Sequence, residues 1–486
     1  MSVDARKLAV QTLPATARKS IWPALITLFF GSFVGVYPVV SLNVSLHGFI
    51  GIFHTELITV QWIVTGFTLA AGVIAPVSGY AGDRFGGKRL FIFSLVGITA
   101  SSILCALAWN IYALIAFRIL QGLFCGLISP VALAMIYQTV PSDKQPFAVS
   151  IWSFSTVLGT ALAPSISGWL QDYDWHWIFL VTVPLGIAVI IAALRILPSD
   201  HLLRRAKLDV IGLILAAAGS LSLLLLFGNM HQWGWQAAPT WVCLIIGVTC
   251  GIGFVIHELR TESPLLQLRL FRSAMFTASL SISLILSVAL YAGIYFIPLY
   301  LSEMQGLSSF QVGILFLPAA FCLTCATFFS GQFYTKLGPA TLIIAGGLIL
   351  ILTTYHFSHL HPTSTLFSIM LWLSIRNIGT GLAMTPATNA GMIAIPRELS
   401  GHASALINWI RQVFSAMTLS LLTSFFYMRL DIHQSHLLKD EASKGASWIH
   451  KTAYTLSVNN VFLISSLLIA LALPLALILR KRKPTN

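Results

Sequence analysis

Long unbroken apolar runs constrain this chain more than any other feature. Leu90–Ala108 and Val461–Leu479 contain no charged residue. Each is about as long as the ~20 residues needed to cross a hydrocarbon core. Neither shows the apolar–polar alternation of a barrel strand. Inside lipid every backbone N–H and C=O must be satisfied within the protein, so such runs fold as helices. Composition agrees: 57% of the 486 residues are hydrophobic and only 9% are charged, against about 25% charged in a soluble domain.

The apolar runs divide into fourteen expected spans: 22–48, 57–80, 90–108, 112–138, 147–170, 176–196, 209–228, 240–257, 274–301, 309–331, 340–358, 364–392, 401–427 and 459–479. Most of the 28 Lys and Arg residues then fall in alternate connections, including Arg84, Lys88, Arg89, Lys144, Arg204, Arg260, Lys336 and Arg397. The opposite side holds Arg429, Lys439, Lys444 and Lys451, all in one long connection. Positive residues stay cytoplasmic, so both termini are expected inside. Residues 1–20 are polar and basic and do not read as a cleaved leader. The net charge of +13 lies in short segments between spans, with no basic domain to hold nucleic acid. The six cysteines all fall within expected spans, so no disulfide framework is expected.

An internal repeat organises the spans. Gly79, Asp83, Arg84 and Gly86 close the second span, and Gly331, Thr335, Lys336 and Gly338 close the tenth with the same spacing. Arg118 in span four has a counterpart in Arg376 of span twelve, each followed by glycines and a proline. The expected organisation is a cytoplasmic segment 1–21, a six-helix half 22–197, a linker 198–258 with two inserted helices, a six-helix half 259–480 and a cytoplasmic tail 481–486. Repeated halves are the usual design of secondary transporters.

The motifs carry chemistry. In Gly79–Arg89 the glycines permit a tight turn, and Asp83 can accept from a helix N-terminus or pair with a cation. A charged group inside a span is a functional candidate by default, which singles out Arg118 in Phe117-Arg118-Ile-Leu-Gln121-Gly122. Gly122, Gly126 and Pro130 share its helix face at steps of four. In span five, Gly159, Ala163 and Ser167 form a small-residue stripe beside Pro164 and Gly168.

Together these runs resemble the major facilitator superfamily, over essentially the whole chain. Gly79–Arg89 is similar to its cytoplasmic signature loop, which implies gating by Asp83 and Arg84 with Gly79, Gly86 and Arg89 shaping the turn. Arg118 matches the arginine of the fourth-helix motif, which implies a part in proton coupling. Gly159–Gly168 resembles the antiporter motif, with Ala163 and Ser167 at two glycine positions. Trp175-His176-Trp177-Ile-Phe, Gln61-Trp62, Leu208-Asp209 and Pro264-Leu265-Leu266 resemble the fourteen-span drug:proton antiporters. That resemblance implies an all-α major facilitator fold and places Tyr37, Asn43 and Trp62 toward a substrate cavity. Arg411 joins them as a second-half embedded cation.

One departure bears on mechanism. The subfamily's first-helix aspartate position holds Pro38. None of the fifteen acidic residues falls at an expected midplane; Asp209 and Glu258 stand at inner ends and Glu303 at the outer end of span nine. Glu303 is therefore the remaining acidic candidate for coupling. The embedded Arg118, Arg376 and Arg411 make the interior basic, which suits anionic or zwitterionic cargo.

The expected function is a proton-coupled antiporter of the inner or plasma membrane, exporting hydrophobic or amphipathic compounds such as drugs. Its partners would be a small-molecule substrate, protons and the bilayer, with the protein monomeric. A metabolite symporter or facilitator is the alternative, and a non-transporting sensor or lipid scramblase a third. There is no Walker A run, nucleophile motif, metal-ligand cluster or cofactor signature, so enzymatic work is not expected.

Overall fold

The computed structural model describes residues 21–42, 46–55, 57–141, 144–198, 209–261, 264–307, 309–440 and 445–479. Asn43 and the terminal segments 1–20 and 480–486 lie outside the described residues. Every regular element within them is helical. In chain order these are α1 (Trp22–Val40), α2 (Leu46–Phe53), α3 (Leu57–Ile74), α4 (Val77–Phe85), α5 (Gly87–Ala106), α6 (Ile111–Thr139), α7 (Gln145–Tyr173), α8 (His176–Leu180) and α9 (Thr182–Ile196). Then come α10 (Val210–Trp233), α11 (Ala238–Arg260), α12 (Ala274–Gln305), α13 (Ser309–Leu337), α14 (Pro339–Phe357), α15 (Leu366–Ile393), α16 (Ser400–Asp440), α17 (Ala446–Ala470) and α18 (Ala472–Ala476).

Among the described residues, 12 helices are long and apolar enough to cross a membrane, and 13 if one bent pair counts as a span. The bend is 57°, between Thr59–Ile74 and Val77–Phe85. Pro76 sits in the break, where it withholds the N–H that would continue the ladder. The sequence had placed one straight span there. The helix α7, 29 residues long, stands where span five was expected; at 1.5 Å per residue it extends about 43 Å.

Other boundaries differ from the expectation too: span one was expected at 22–48, and α1 ends at Val40 with α2 beginning at Leu46. Spans thirteen and fourteen were expected at 401–427 and 459–479, with a long loop between them. Instead α16 runs 41 residues, and α17 begins at Ala446. Arg429, Lys439 and Lys451 therefore ride on helical extensions beyond the apolar part. Leu, Met, Lys and Gln in this stretch favour helix even in water, and Gln434 donates to His450 across the pair at 3.1 Å.

Packing repeats along the chain. In the first stretch α3 and α5 pack on α6, and α9 packs on α1 and α5. In the second stretch α13 and α14 pack on α15, and α17 packs on α12 and α14. The two stretches meet twice: α7 lies on α13, and α16 lies on α4 and α6. The helices α10 and α11 pack on each other, and α10 bridges α3 and α16. The turn glycines Gly86 and Gly338 take φ of 90° and 78°, a region that penalises any Cβ. Both precede helix starts, at corresponding places in the repeat.

Candidate functional site

The site begins at the end of α4. Gly79 is buried, and a Cβ there would sit 3.2 Å from the Cα of His402 and 3.4 Å from the Ala405 side chain. That close approach lets α4 lie against the start of α16. One turn on, the Asp83 carboxylate meets the His402 ring, Oδ2 to Nε2, at 3.2 Å. Both side chains are largely buried, 14% and 8% exposed. The other ring nitrogen faces the Leu265 carbonyl at 3.1 Å. Both partners are acceptors, so both contacts become hydrogen bonds only when the imidazole carries two protons.

The cations of the motif stay near the surface. Arg84 is exposed and donates to the Tyr80 hydroxyl at 2.8 Å. Lys88 donates to the carbonyls of Leu194 and Leu197 at 2.9 and 2.7 Å, closing the C-terminus of α9, where a cation is favoured. Arg89 is exposed.

Further bonds join the stretches near this end. Ser404 donates to the Pro130 carbonyl at 2.8 Å, and Tyr137 donates to Asn389 Oδ1 at 2.5 Å. A Cβ on Gly331 would meet Ser150 Oγ at 2.1 Å and the Pro146 carbonyl at 2.9 Å, and Phe147 and Phe328 meet edge to face at 5.6 Å. Interhelical hydrogen bonds in membranes average about 0.6 kcal/mol. A handful of them adds up to a few kcal/mol of attachment between the two stretches.

Arg118 is fully buried. It donates to the carbonyls of Pro38 at 3.0 Å and Ile63 at 3.2 Å and to Gln121 Oε1 at 2.6 Å. The Phe67 ring lies 4.1 Å from its guanidinium carbon. It thus ties α6 to α1 and α3. At Pro38 a backbone dipole rather than a charge faces this arginine. Arg376, also buried, lies over Gly293 and donates to the Ala289 carbonyl of α12. Each arginine therefore bonds a carbonyl on the first long helix of its stretch. Arg411 donates to Thr388 Oγ1 at 3.3 Å. Among the described residues the Nε atoms of Arg376 and Arg411 have no partner.

The small-residue stripe of α7 divides its work. Gly159 packs on Val36 and Phe33 of α1, and Ala163 and Ser167 are fully buried. Contact of α7 with the second stretch includes Pro146, Phe147 and Ser150 near its start. The helix carrying the Gly159–Gly168 run packs on α13 and also on α1, with Gly159 itself against α1. Gly168 is half-buried on the same helix, and Pro164 belongs to a stretch that stays helical.

Between α1, α3, α6 and α16 lies a cavity of about 130 Å³. Its polar lining is Thr68, Ser129, Asn408 and Gln412, and Gln412 donates to the Thr68 carbonyl at 3.3 Å. Drug-sized pockets run from about 300 Å³, so the cavity is contracted in this conformation. Tyr37, Trp62 and Arg411 are not in its lining. Tyr37 is buried with no hydroxyl partner among the described residues, Trp62 is 42% exposed, and Glu303 is exposed near the end of α12. Sequence reasoning missed His402 and the four polar lining residues. No group of three or more His, Cys, Asp or Glu that could hold a metal occurs among the described residues.

Residues 23–419 match the Major Facilitator Superfamily. The chain belongs to this superfamily. It is therefore a multi-pass membrane transporter, not an enzyme. Among its relatives, the uncharacterised MFS-type transporter YhcA of Bacillus subtilis strain 168 is 31% identical, over 90% of this chain and 82% of the relative. The tetracenomycin C resistance and export protein of Streptomyces glaucescens is 29% identical, over 82% of this chain and 75% of that protein. The crystal structure of the human organic anion transporter MFSD10 superposes with a TM-score of 0.64 at 12% identity, covering 93% of this chain and all of that one. At that identity the likeness is one of fold, and the fold is that of the superfamily.

Proposed function

We propose that this superfamily member is a proton-coupled efflux antiporter of the inner or plasma membrane. It exports hydrophobic or amphipathic compounds by alternating access. The latch between Asp83 and His402, at the basic end of the two stretches, is the observation that carries this reading. A latch held by weak bonds can release and let the halves rock about a central cavity. Export also fits the resistance and export relative from Streptomyces glaucescens.

In this reading 22–197 and 259–480 are the moving halves, and 198–258 is a linker carrying two inserted helices. Counting α7 with the bent pair gives fourteen spans, and the termini, 1–21 and 481–486, are cytoplasmic. Asp83 and Arg84 gate the inner side, with Gly79, Gly86 and Arg89 shaping the loop. Arg118 fixes α1 and α3 as protons pass. Proton traffic follows the pH gradient, and no cofactor takes part.

A second reading concerns the cargo. The buried, unpartnered Nε atoms of Arg376 and Arg411 favour anionic or zwitterionic compounds over cations. The test uses intact cells making the full chain, loaded with neutral, anionic and cationic lipophilic dyes. Export of at least one dye that stops with a protonophore supports the antiporter, and export of the anionic dye in preference to the cationic one supports the cargo reading. Dye retention identical to that of cells lacking the protein, across all three charge classes, would sink it.

A further inference from the structure

The inserted helices hold a feature that gating leaves unused. Asp209 caps α10, with Oδ1 accepting from the Gly212 N–H at 2.8 Å and touching His257 Nε2 at 2.7 Å. Glu258, in the last turn of α11, accepts from the Leu266 N–H through Oε2 at 3.2 Å. The side chains are only 9% and 2% exposed. Their remaining oxygens, Asp209 Oδ2 and Glu258 Oε1, are buried without a hydrogen-bond partner among the described residues. Both point at one spot: a Cβ on Gly212 would lie 2.5 Å from the first and 2.7 Å from the second.

Two buried carboxylates turned toward one spot repel when both are ionised, and a proton bound there relieves that repulsion. It would also give the orphan oxygens a donor. We propose that Asp209 and Glu258 form a proton-binding site in the inserted helices, mechanically linked to the Asp83–His402 latch. The link is two residues long. Glu258 holds the Leu266 N–H, and the preceding carbonyl, Leu265, holds His402. Binding one proton takes the pair from two negative charges to one. Loss of that proton restores repulsion, pushes Glu258 away from Asp209, draws Leu265 off His402 and loosens the latch.

Other described groups near the pair are few. His257 shares its helix with Glu258 and also lies 3.2 Å from Thr261 Oγ1. From α16 His402 reaches the Leu265 carbonyl with one ring nitrogen and Asp83 of α4 with the other. Arg260, Arg269 and Arg272 are exposed. Protonation of His402 would tighten the latch with the same sign, so the test must separate the two.

The inference rests on the transport reading above, and its test uses the full chain in nanodiscs without any drug. Infrared difference spectra across a pH titration should show a protonated-carboxyl band that Glu258→Gln removes, with Asp209→Asn as the second variant. Spin labels at Phe85 and Glu398, both exposed, in a cysteine-free background, report the latch. In the parent the distance should lengthen as pH rises. In both variants, whose side chains mimic the protonated pair, it should stay short. A carboxyl band unchanged in both variants overturns the site. A pH-dependent distance that survives in both assigns the response to His402 and overturns the link, as does a parent distance that ignores pH. Absence of drug export with both signals present would remove the efflux reading and leave this site standing.

Discussion

At the scale of single residues, the account rests on polar groups held where water is scarce. Asp83→Asn keeps the size of the side chain and its contact with His402 but removes the charge. Folded yield should stay near that of the parent while export falls to background; normal turnover would take Asp83 out of the gate. Arg118 is a different case. Its removal leaves Gln121 Oε1 without its donor and strips one bond each from the Pro38 and Ile63 carbonyls, and an orphaned buried group costs about 1–3 kcal/mol. Arg118→Ala should therefore lower the unfolding temperature as well as stop transport. Arg118→Lys keeps the charge but lacks the planar fork that reaches three acceptors. Proton coupling retained in the lysine variant would mean that charge, not bridging, is what transport needs. The sequence showed Arg118 as an anomaly because a cation amid apolar residues is visible locally. His402 was invisible, since its partner lies 319 residues away and nothing about Ser400-Gly-His402 marks it. Thr68, Ser129, Asn408 and Gln412 were missed because single small polar residues are common in spans.

At the scale of helices, close crossings set the geometry. Gly122 and Gly126 of α6 lie against the Phe67 and Ala71 carbonyls of α3, where a Cβ would come within 2.3 and 2.4 Å. Arg118, one turn earlier, meets Ile63 on the same helix. The two helices therefore interlock at three levels four residues apart, as the spacing of the small residues implied. Gly126→Val should destabilise the protein by about 1–3 kcal/mol, the usual cost of overpacking, read as a lower unfolding temperature in detergent. Gly82→Ala is the control, since nothing lies within 4 Å of its Cβ, and its unfolding temperature should not fall. Span positions were legible because apolar length is a strong signal. The bend at Pro76 and the extensions of α16 and α17 were not. Hydropathy marks where lipid ends, whereas a helix ends where its hydrogen-bond ladder does.

At the scale of the molecule, two packing surfaces and one bridge hold the stretches together. The contacts of α7 on α13 and of α16 on α4 and α6 are matched, and α10 spans α3 and α16 beside them. In the proposed topology the basic end faces the cytoplasm. Cysteines introduced at the exposed positions Arg84 and Lys451 should label from opposite sides: only Lys451→Cys from outside intact cells. External labelling of Arg84→Cys would reverse the topology. The repeat in the turn glycines foretold the paired packing, but no motif named a cargo, because the cavity is assembled from four helices and its lining is generic. The most direct measurement is drug-dependent proton flux. The purified chain is placed in liposomes carrying a pH dye, a pH gradient is imposed, and lipophilic compounds of different charge are added in turn. The account predicts proton movement that begins on addition of a cargo and is absent with Asp83→Asn. Cargo flux with no accompanying proton movement would contradict it.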